Sequence, residues 1–151
     1  MSKMRSWSAR NARFLSMLYR FVEMMLAILH PLFKFIGYTK IDPKVMPVEK
    51  SVKKILFGSH SCGQCTLMDT GMVCPMNCPK TLRNGPCGGV RSNGNCEIIE
   101  DMPCVWVTAW QGSKNLPNGQ ENILKIQPPL DVRLKNTSAW LRATRRKYEA
   151  Q

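Results

Sequence analysis

The chain has 151 residues, seven cysteines and a formal net charge of +12, which is enough length for one modest domain with appendages. The positive charge lies mainly at the two ends, with a net charge of +6 over residues 1–40, +1 over 41–110 and +5 over 111–151. An odd number of cysteines in a chain without an evident export signal argues against a disulfide scaffold. It favours metal binding and a cytoplasmic location.

The first 38 residues are predicted to form one long helix that Pro31 kinks or ends. Polar residues from Arg13 to His30 form one narrow stripe, and apolar residues fill the remaining surface. Such a helix must be covered, and we expect it to dock on a protein partner; contact with a membrane surface is the alternative. It is too interrupted by charge to span a membrane. The predicted docking residues are Phe14, Leu18, Phe21, Met25 and Leu29.

The pattern divides the chain into four segments: an amphipathic docking helix (1–40), a proline-punctuated linker (41–56), a cysteine-rich metal-binding module (57–110) and an extended basic C-terminal arm with a short helix (111–151). The stretch "CVWVTAW" is predicted to be a short strand or a helical turn because it is rich in β-branched and aromatic residues. We therefore expect a small, irregular, metal-stabilised α+β module with a long N-terminal α-helix and little regular sheet.

Proline and glycine surround the cysteines, most densely in "CPMNCPKTLRNGPCGG" at residues 74–89. Proline holds an irregular loop in one path, and glycine lets backbone N–H groups approach sulfur. A segment this short and rich in Gly and Pro buries too little apolar surface to fold without a metal. The candidate metal ligands are Cys62, Cys65, Cys74, Cys78, Cys87, Cys96 and Cys104.

An iron–sulfur cluster is favoured over zinc as the metal of this module. Only Cys62 and Cys65 have the two-residue spacing of a zinc knuckle, and no histidine follows at finger spacing. Cys-Pro pairs occur in ferredoxin ligand runs, and glycine-rich backbone supplies hydrogen bonds to cluster sulfur. The grouping of the ligands is left open by the spacing.

Catalysis by this chain alone is not expected. It has no GxGxxG motif and no P-loop, and its two histidines do not provide a Ser/His/Asp constellation. No catalytic residue is predicted. The alternative function is a zinc module that binds nucleic acid or a membrane surface through its basic ends, with "KNTSAWLRATRRKY" as the basic arm.

From Cys62 onward, the run "GMVCPMNCPKTLRNGPCGG", then "NGNCEI" and "PCVW", resembles the cysteine-rich C-terminal domain family of methylenetetrahydrofolate reductases. The resemblance covers about residues 50–110, and "NTSAWL" near the end also resembles the family. It implies a small, metal-containing, non-catalytic subunit beside a flavin-bearing TIM-barrel subunit that reduces methylenetetrahydrofolate. A [4Fe–4S] cluster, or zinc, would be held by this chain, and the flavin by the partner alone.

The chain departs from the family pattern at Ser59, where members commonly have a cysteine before the CxxC pair. Eight cysteines would fill two four-ligand sites, but seven do not. One site therefore uses a substitute, such as Ser59, His60, Asp69 or water, or one site stays empty. The resemblance puts Cys62 and Cys65 on one metal with two of the cysteines that follow.

Overall fold

The computed structural model describes residues 2–149 and has a helical fold. Over that range the one β-type pairing is an isolated antiparallel bridge between Asn95 and Pro103. The expectation of an α+β module is therefore wrong. The helices are α1 (Ser2–Arg10), α2 (Ala12–Ile28), α3 (His30–Ile36), α4 (Tyr38–Phe57), α5 (Val105–Ser113), α6 (Gly119–Asn122) and α7 (Ala139–Glu149), with 3₁₀ turns at Pro75–Asn77 and Val132–Leu134.

Helix α5 occupies the stretch that was predicted to be a strand or a helical turn. Cys104 has an extended backbone immediately before the helix, and its carbonyl accepts the N–H of Thr108 at 3.0 Å. Val105, Trp106 and Ala109 are buried, and their spacing places them on one helical face. Burial of that face outweighs the β propensity of Val and Trp.

Helix α2 packs on the body of the protein through Ala12, Leu15 and Tyr19, which are buried at spacings of three and four. The predicted break near Pro31 is confirmed. Leu29 keeps a helical backbone between α2 and α3, and Pro31 lies in the first turn of α3, where a missing N–H interrupts no helical hydrogen bond.

Helix α4 includes residues 41–56, which the prolines had marked as a linker. Its buried residues recur at multiples of four and form one stripe: Ile41, Glu49, Lys53 and Phe57. Pro43 and Pro47 lie off this stripe, so the packing of α4 against α1, α3 and α7 survives the loss of two backbone donors. Gly58, with a left-handed φ of 61°, ends α4 and leads into the cysteine-rich loop.

The cysteine-rich loop is packed between helices. Leu67 and Met72 share a core with Leu15 of α2 and Trp140 of α7. A second close contact lies where the loop meets α5: a Cβ added to Gly112 would stand 2.2 Å from the carbonyl oxygen of Gly71. The loop is therefore held from both sides, which fixes the backbone that carries the thiols.

Candidate metal centre

The seven cysteines line two separate cavities. The first cavity, between α4 and the start of α7, is lined by Cys62, Cys65 and Cys74. The second cavity, against the start of α5, is lined by Cys78, Cys87, Cys96 and Cys104. All seven are free thiols. The structure thus groups the cysteines that the spacing alone did not group.

The 3₁₀ turn Pro75–Asn77 separates the two groups. Cys74 precedes this turn and lines the first cavity, whereas Cys78 follows it and lines the second. The N–H of Cys78 donates to the carbonyl of Pro75 at 3.0 Å, which closes the turn. The four-residue spacing in "CPMNC" therefore sends its two thiols to different cavities.

The Asn95–Pro103 bridge positions two thiols of the second cavity. The N–H of Cys96 donates to Met102 O at 2.8 Å, and the N–H of Cys104 donates to Gly94 O at 3.0 Å. These bonds close the loop between the two cysteines and bring both into the wall of one cavity. Cys96 and Cys104 are buried.

Cys87 lies at the exposed rim of the second cavity. Its Sγ donates to Glu97 Oε2 over 3.5 Å, and the same oxygen accepts from Lys80 Nζ at 2.5 Å. The hydrogen bond from Lys80, and then that from Cys87, hold the pKa of Glu97 below its ordinary value. The inner wall is apolar and includes Val90 and Trp106, so it excludes water from the buried thiols.

Two cationic side chains approach the thiols of the first cavity. Arg83 donates from Nη2 to Gln64 O at 2.8 Å, and its Nη1 lies 4.0 Å from Cys62 Sγ. Lys53 is buried beside Cys65. Burial alone lowers the pKa of Lys53, but negative charge at Cys65 and Glu49 outweighs it and raises that pKa. A neighbouring cation stabilises a thiolate, which is the form that binds metal.

Cys74 is the most deeply placed thiol of the first cavity. Burial raises its pKa from 9.0 to about 11, and backbone hydrogen bonds from the His60 and Met76 region oppose that rise only in part. The side chain is therefore a protonated thiol at neutral pH in the metal-free chain, and metal binding there must release its proton.

Ser59 lines the first cavity together with the three cysteines. The other two candidate substitutes are engaged elsewhere: His60 Nε2 pairs with Asn77 Oδ1 at 3.2 Å, and Asp69 accepts from Gln127 Nε2 at 3.2 Å. The position at which the chain departs from the cysteine pattern is thus on the wall of the cavity that holds three thiols rather than four.

The donor set of each cavity fits a thiophilic metal, since thiolates are the preferred ligands of zinc and of iron–sulfur clusters. The side chains are not yet gathered: among the described residues, no three His, Cys, Asp or Glu side chains form a group that holds a metal ion as it stands. The thiols must turn inward from the cavity walls when a metal binds. No metal or cluster is assigned by the structure itself.

The predicted docking residues are all exposed. They belong to a larger apolar face of α2 and α3, the α2–α3 face, which consists of Phe14, Met17, Leu18, Phe21, Met24, Met25, Ile28, Leu29, Leu32, Phe35 and Ile36. Phe35 is 90% exposed and Phe14 is 63% exposed. In contrast, Ser16 of the predicted polar stripe is buried. No helix in the described range is long and apolar enough to cross a membrane.

Seven free thiols in loops clamped between helices define a cysteine-rich helical domain. A family model described as "Methylene-tetrahydrofolate reductase C terminal" matches residues 38–133, from the first residue of α4 to the second 3₁₀ turn. The chain belongs to this family, as the cysteine motifs predicted. Neither a curated protein nor a solved structure matches the chain significantly.

Sequence reasoning missed three charged residues near the first cavity: Glu49, Lys53 and Arg83. Glu49 and Lys53 lie within the proline-containing stretch that was predicted to be a linker. Their four-residue spacing in register with Ile41 and Phe57 was the available signal. Arg83 lies within the cysteine motif itself, but nothing in the spacing distinguishes it from an exposed loop residue.

Proposed function

We propose that the chain is a small, non-catalytic, metal-binding accessory subunit of a methylenetetrahydrofolate reductase-type flavoenzyme in the cytoplasm. The observation that carries this proposal is the separation of the seven thiols into two cavities in a member of this family. The flavin and the folate site belong to the TIM-barrel subunit on which the chain docks.

The second cavity is the better candidate for an iron–sulfur cluster, because it has the four cysteines that such a cluster takes. A bound cluster would supply one-electron transfer to or from the partner's flavin. Cys78, Cys87, Cys96 and Cys104 would hold it. Trp106 and Val105 keep the inner wall dry, and Cys87 marks the side that is open to solvent or to a partner.

The α2–α3 face is the proposed docking surface for the barrel subunit. The face has eleven exposed apolar side chains along α2 and α3. Contiguous exposed apolar surface marks interaction sites, and Met adapts well to a contact surface. Arg13, Arg20 and Lys34 are exposed on the same helices. A partner surface that complements them is apolar at its centre and acidic at its rim.

Metal content tests the site. The full chain is co-expressed with the methylenetetrahydrofolate reductase barrel subunit of its organism and purified without oxygen. Iron, sulfide and zinc are then measured together with the visible spectrum. We expect about four iron and four sulfide for each occupied cavity. Cys104→Ser should abolish occupancy of the second cavity, and Cys62→Ser should reduce it much less. Zinc without a cluster spectrum would overturn the electron-transfer role.

Co-purification tests the docking surface. Phe14→Ser combined with Phe21→Ser should reduce recovery of the barrel subunit at least about tenfold, because the variant removes two exposed aromatic rings from the α2–α3 face. Ile126→Ser is the matched control, since Ile126 is 87% exposed but lies outside this face. A double variant that retains the partner but no longer floats with anionic lipid vesicles would show that a membrane, not the barrel, covers the face.

A further inference from the structure

A third cavity, which contains no cysteine, lies between the N-terminal end of α4 and the first turns of α7. Its volume is about 550 Å³, within the range of pockets that take small organic ligands. Arg142, Arg145 and Arg146 line it from α7, and Tyr38 and Thr39 line it from α4. We call it the arginine cavity.

The three arginines are placed by the helix itself. Their spacing of three and four puts them on one face of α7. Arg142 is half-buried: its Nη2 donates to Thr137 Oγ1 at 3.1 Å, while its Nε is buried without a hydrogen-bond partner in the described part of the chain. The guanidinium group of Arg145 lies over the Tyr38 ring, with 5.9 Å from Cζ to the ring centre. An unpaired buried donor beside a cavity costs free energy that a bound acceptor would recover.

The cavity carries a net positive charge. Among its described lining residues Asp42 is the single acid, and its Oδ1 already accepts the N–H of Ser138 at 2.8 Å. The cations are arginines throughout, and a planar guanidinium group pairs with two oxygens of a phosphate or carboxylate at once. The hydroxyl group of Thr39 adds a donor at the opposite wall, whereas the Tyr38 hydroxyl is already paired with His30 Nδ1 at 2.5 Å.

We propose that the arginine cavity binds a small phosphorylated anion with at least two negative charges, such as a compound with a pyrophosphate group. The site is independent of the metal ligands and of the α2–α3 face. Thr137 also lines the first cavity, so a bound anion would lie against the same segment that borders Cys62, Cys65 and Cys74.

Calorimetry on the full chain tests this proposal with pyrophosphate as the probe, at constant ionic strength. We expect saturable binding, and Arg142→Gln combined with Arg146→Gln should weaken it at least about tenfold. Lys147→Gln is the matched control, because it removes a positive charge from the same helix but not from the cavity wall. Asp42→Asn should tighten binding, since it removes the one acid yet keeps an acceptor for the Ser138 N–H.

Four results would overturn the proposal. Pyrophosphate could fail to bind at millimolar concentration, or its affinity could fall as much in Lys147→Gln as in the double arginine variant. Citrate could bind more tightly than pyrophosphate, which would assign the cavity to polycarboxylates. A short single-stranded RNA could displace pyrophosphate and bind more tightly, with the same dependence on Arg142 and Arg146, which would assign the face to nucleic acid. Circular dichroism of each variant separates loss of binding from loss of fold.

Discussion

Glu49 and Lys53 form a buried ion pair in α4, with 2.6 Å between Glu49 Oε1 and Lys53 Nζ. The same carboxylate covers the N-terminus of α7. Its Oε1 accepts the N–H of Ala139 at 3.2 Å, its Oε2 accepts the N–H of Trp140 at 3.3 Å, and the Ser138 hydroxyl donates to it as well. These N–H groups have no acceptor within their own helix, and the helix dipole favours an anion there. The pair therefore joins α4 to α7 at the border of the first cavity.

Breaking this pair should strongly destabilise the protein. Glu49→Gln leaves the Lys53 ammonium buried without its anion, and it should lower the free energy of unfolding by about 3 kcal/mol. Urea denaturation followed by circular dichroism measures the change. Lys54→Met, at an exposed position of the same helix, is the control and should change stability by less than about 0.5 kcal/mol.

The coupling between the two residues is tested by Glu49→Gln combined with Lys53→Met. Since the double variant leaves no unpaired buried charge, it should lose less stability than the sum of the two single variants. Additive losses would contradict the view that Lys53 is held in the interior by Glu49.

Restoring a thiol at Ser59 should complete the first cavity. Ser59→Cys gives this cavity four cysteines, and the variant purified without oxygen should hold one more equivalent of zinc, or one more cluster, than the unmodified chain. Ser92→Cys is the control because it adds a thiol at an exposed loop position away from both cavities. Equal metal content in the two variants would mean that position 59 contributes no ligand.

The metal-free thiols should differ widely in reactivity. Cys87 is exposed and should be alkylated by iodoacetamide first, whereas Cys74 is buried with a pKa raised to about 11. At pH 8 that pKa leaves roughly a hundredfold less thiolate than the ordinary value of 9.0 does. Mass spectrometry of peptides after timed alkylation gives the order.

The pH dependence of alkylation has a definite sign. The rate at Cys74 should keep rising between pH 9 and 11, because its thiol still titrates there. The contribution of this thiol to folding stability is fully present below pH 9.0 and is lost as the pH rises through about 11, because the unfolded chain ionises at the lower pH. A Cys74 rate that levels off by pH 9 would contradict the burial of this thiol.

Gly112 should tolerate no side chain. Alanine normally stabilises a helix by about 1 kcal/mol relative to glycine, but a Cβ at this position would stand 2.2 Å from Gly71 O. Gly112→Ala should therefore lower the melting temperature, and the neighbouring exposed substitution Gln111→Ala should not. An unchanged melting temperature for Gly112→Ala would show that α1, α5 and the loop are less closely packed.

Three features could be predicted from the sequence because each has a local signal: the helical break near Pro31, the C-terminal helix and the family of the chain. Helix α4 could not be predicted in full, because two prolines mask its pattern and two of its buried residues carry charge. Buried Glu49 and Lys53 stabilise the structure only as a pair with α7 in place. The contact with α7 spans about 90 residues, so the four-residue spacing within α4 indicates the pair but not the helix end that it binds.

The candidate site was predictable in its residue types but not in its grouping. The seven cysteines were identified as ligands from number and context, and that assignment stays a prediction. Which thiols lie together depends on the path of the chain through the turn at Pro75–Asn77 and on the bridge between Asn95 and Pro103. Spacing along the sequence left the grouping open, and the fold separates Cys74 from Cys78 although only three residues lie between them.

If both cavities bind metal, the turn at Pro75–Asn77 also links their loading. Only three residues join Cys74 to Cys78, so any ion that draws one of these thiols inward also restricts the backbone that presents the other. Part of the entropy lost in ordering the second cavity is then already lost when the first is filled. Occupancy should accordingly be cooperative, with the population of half-loaded chains smaller than two independent sites would give.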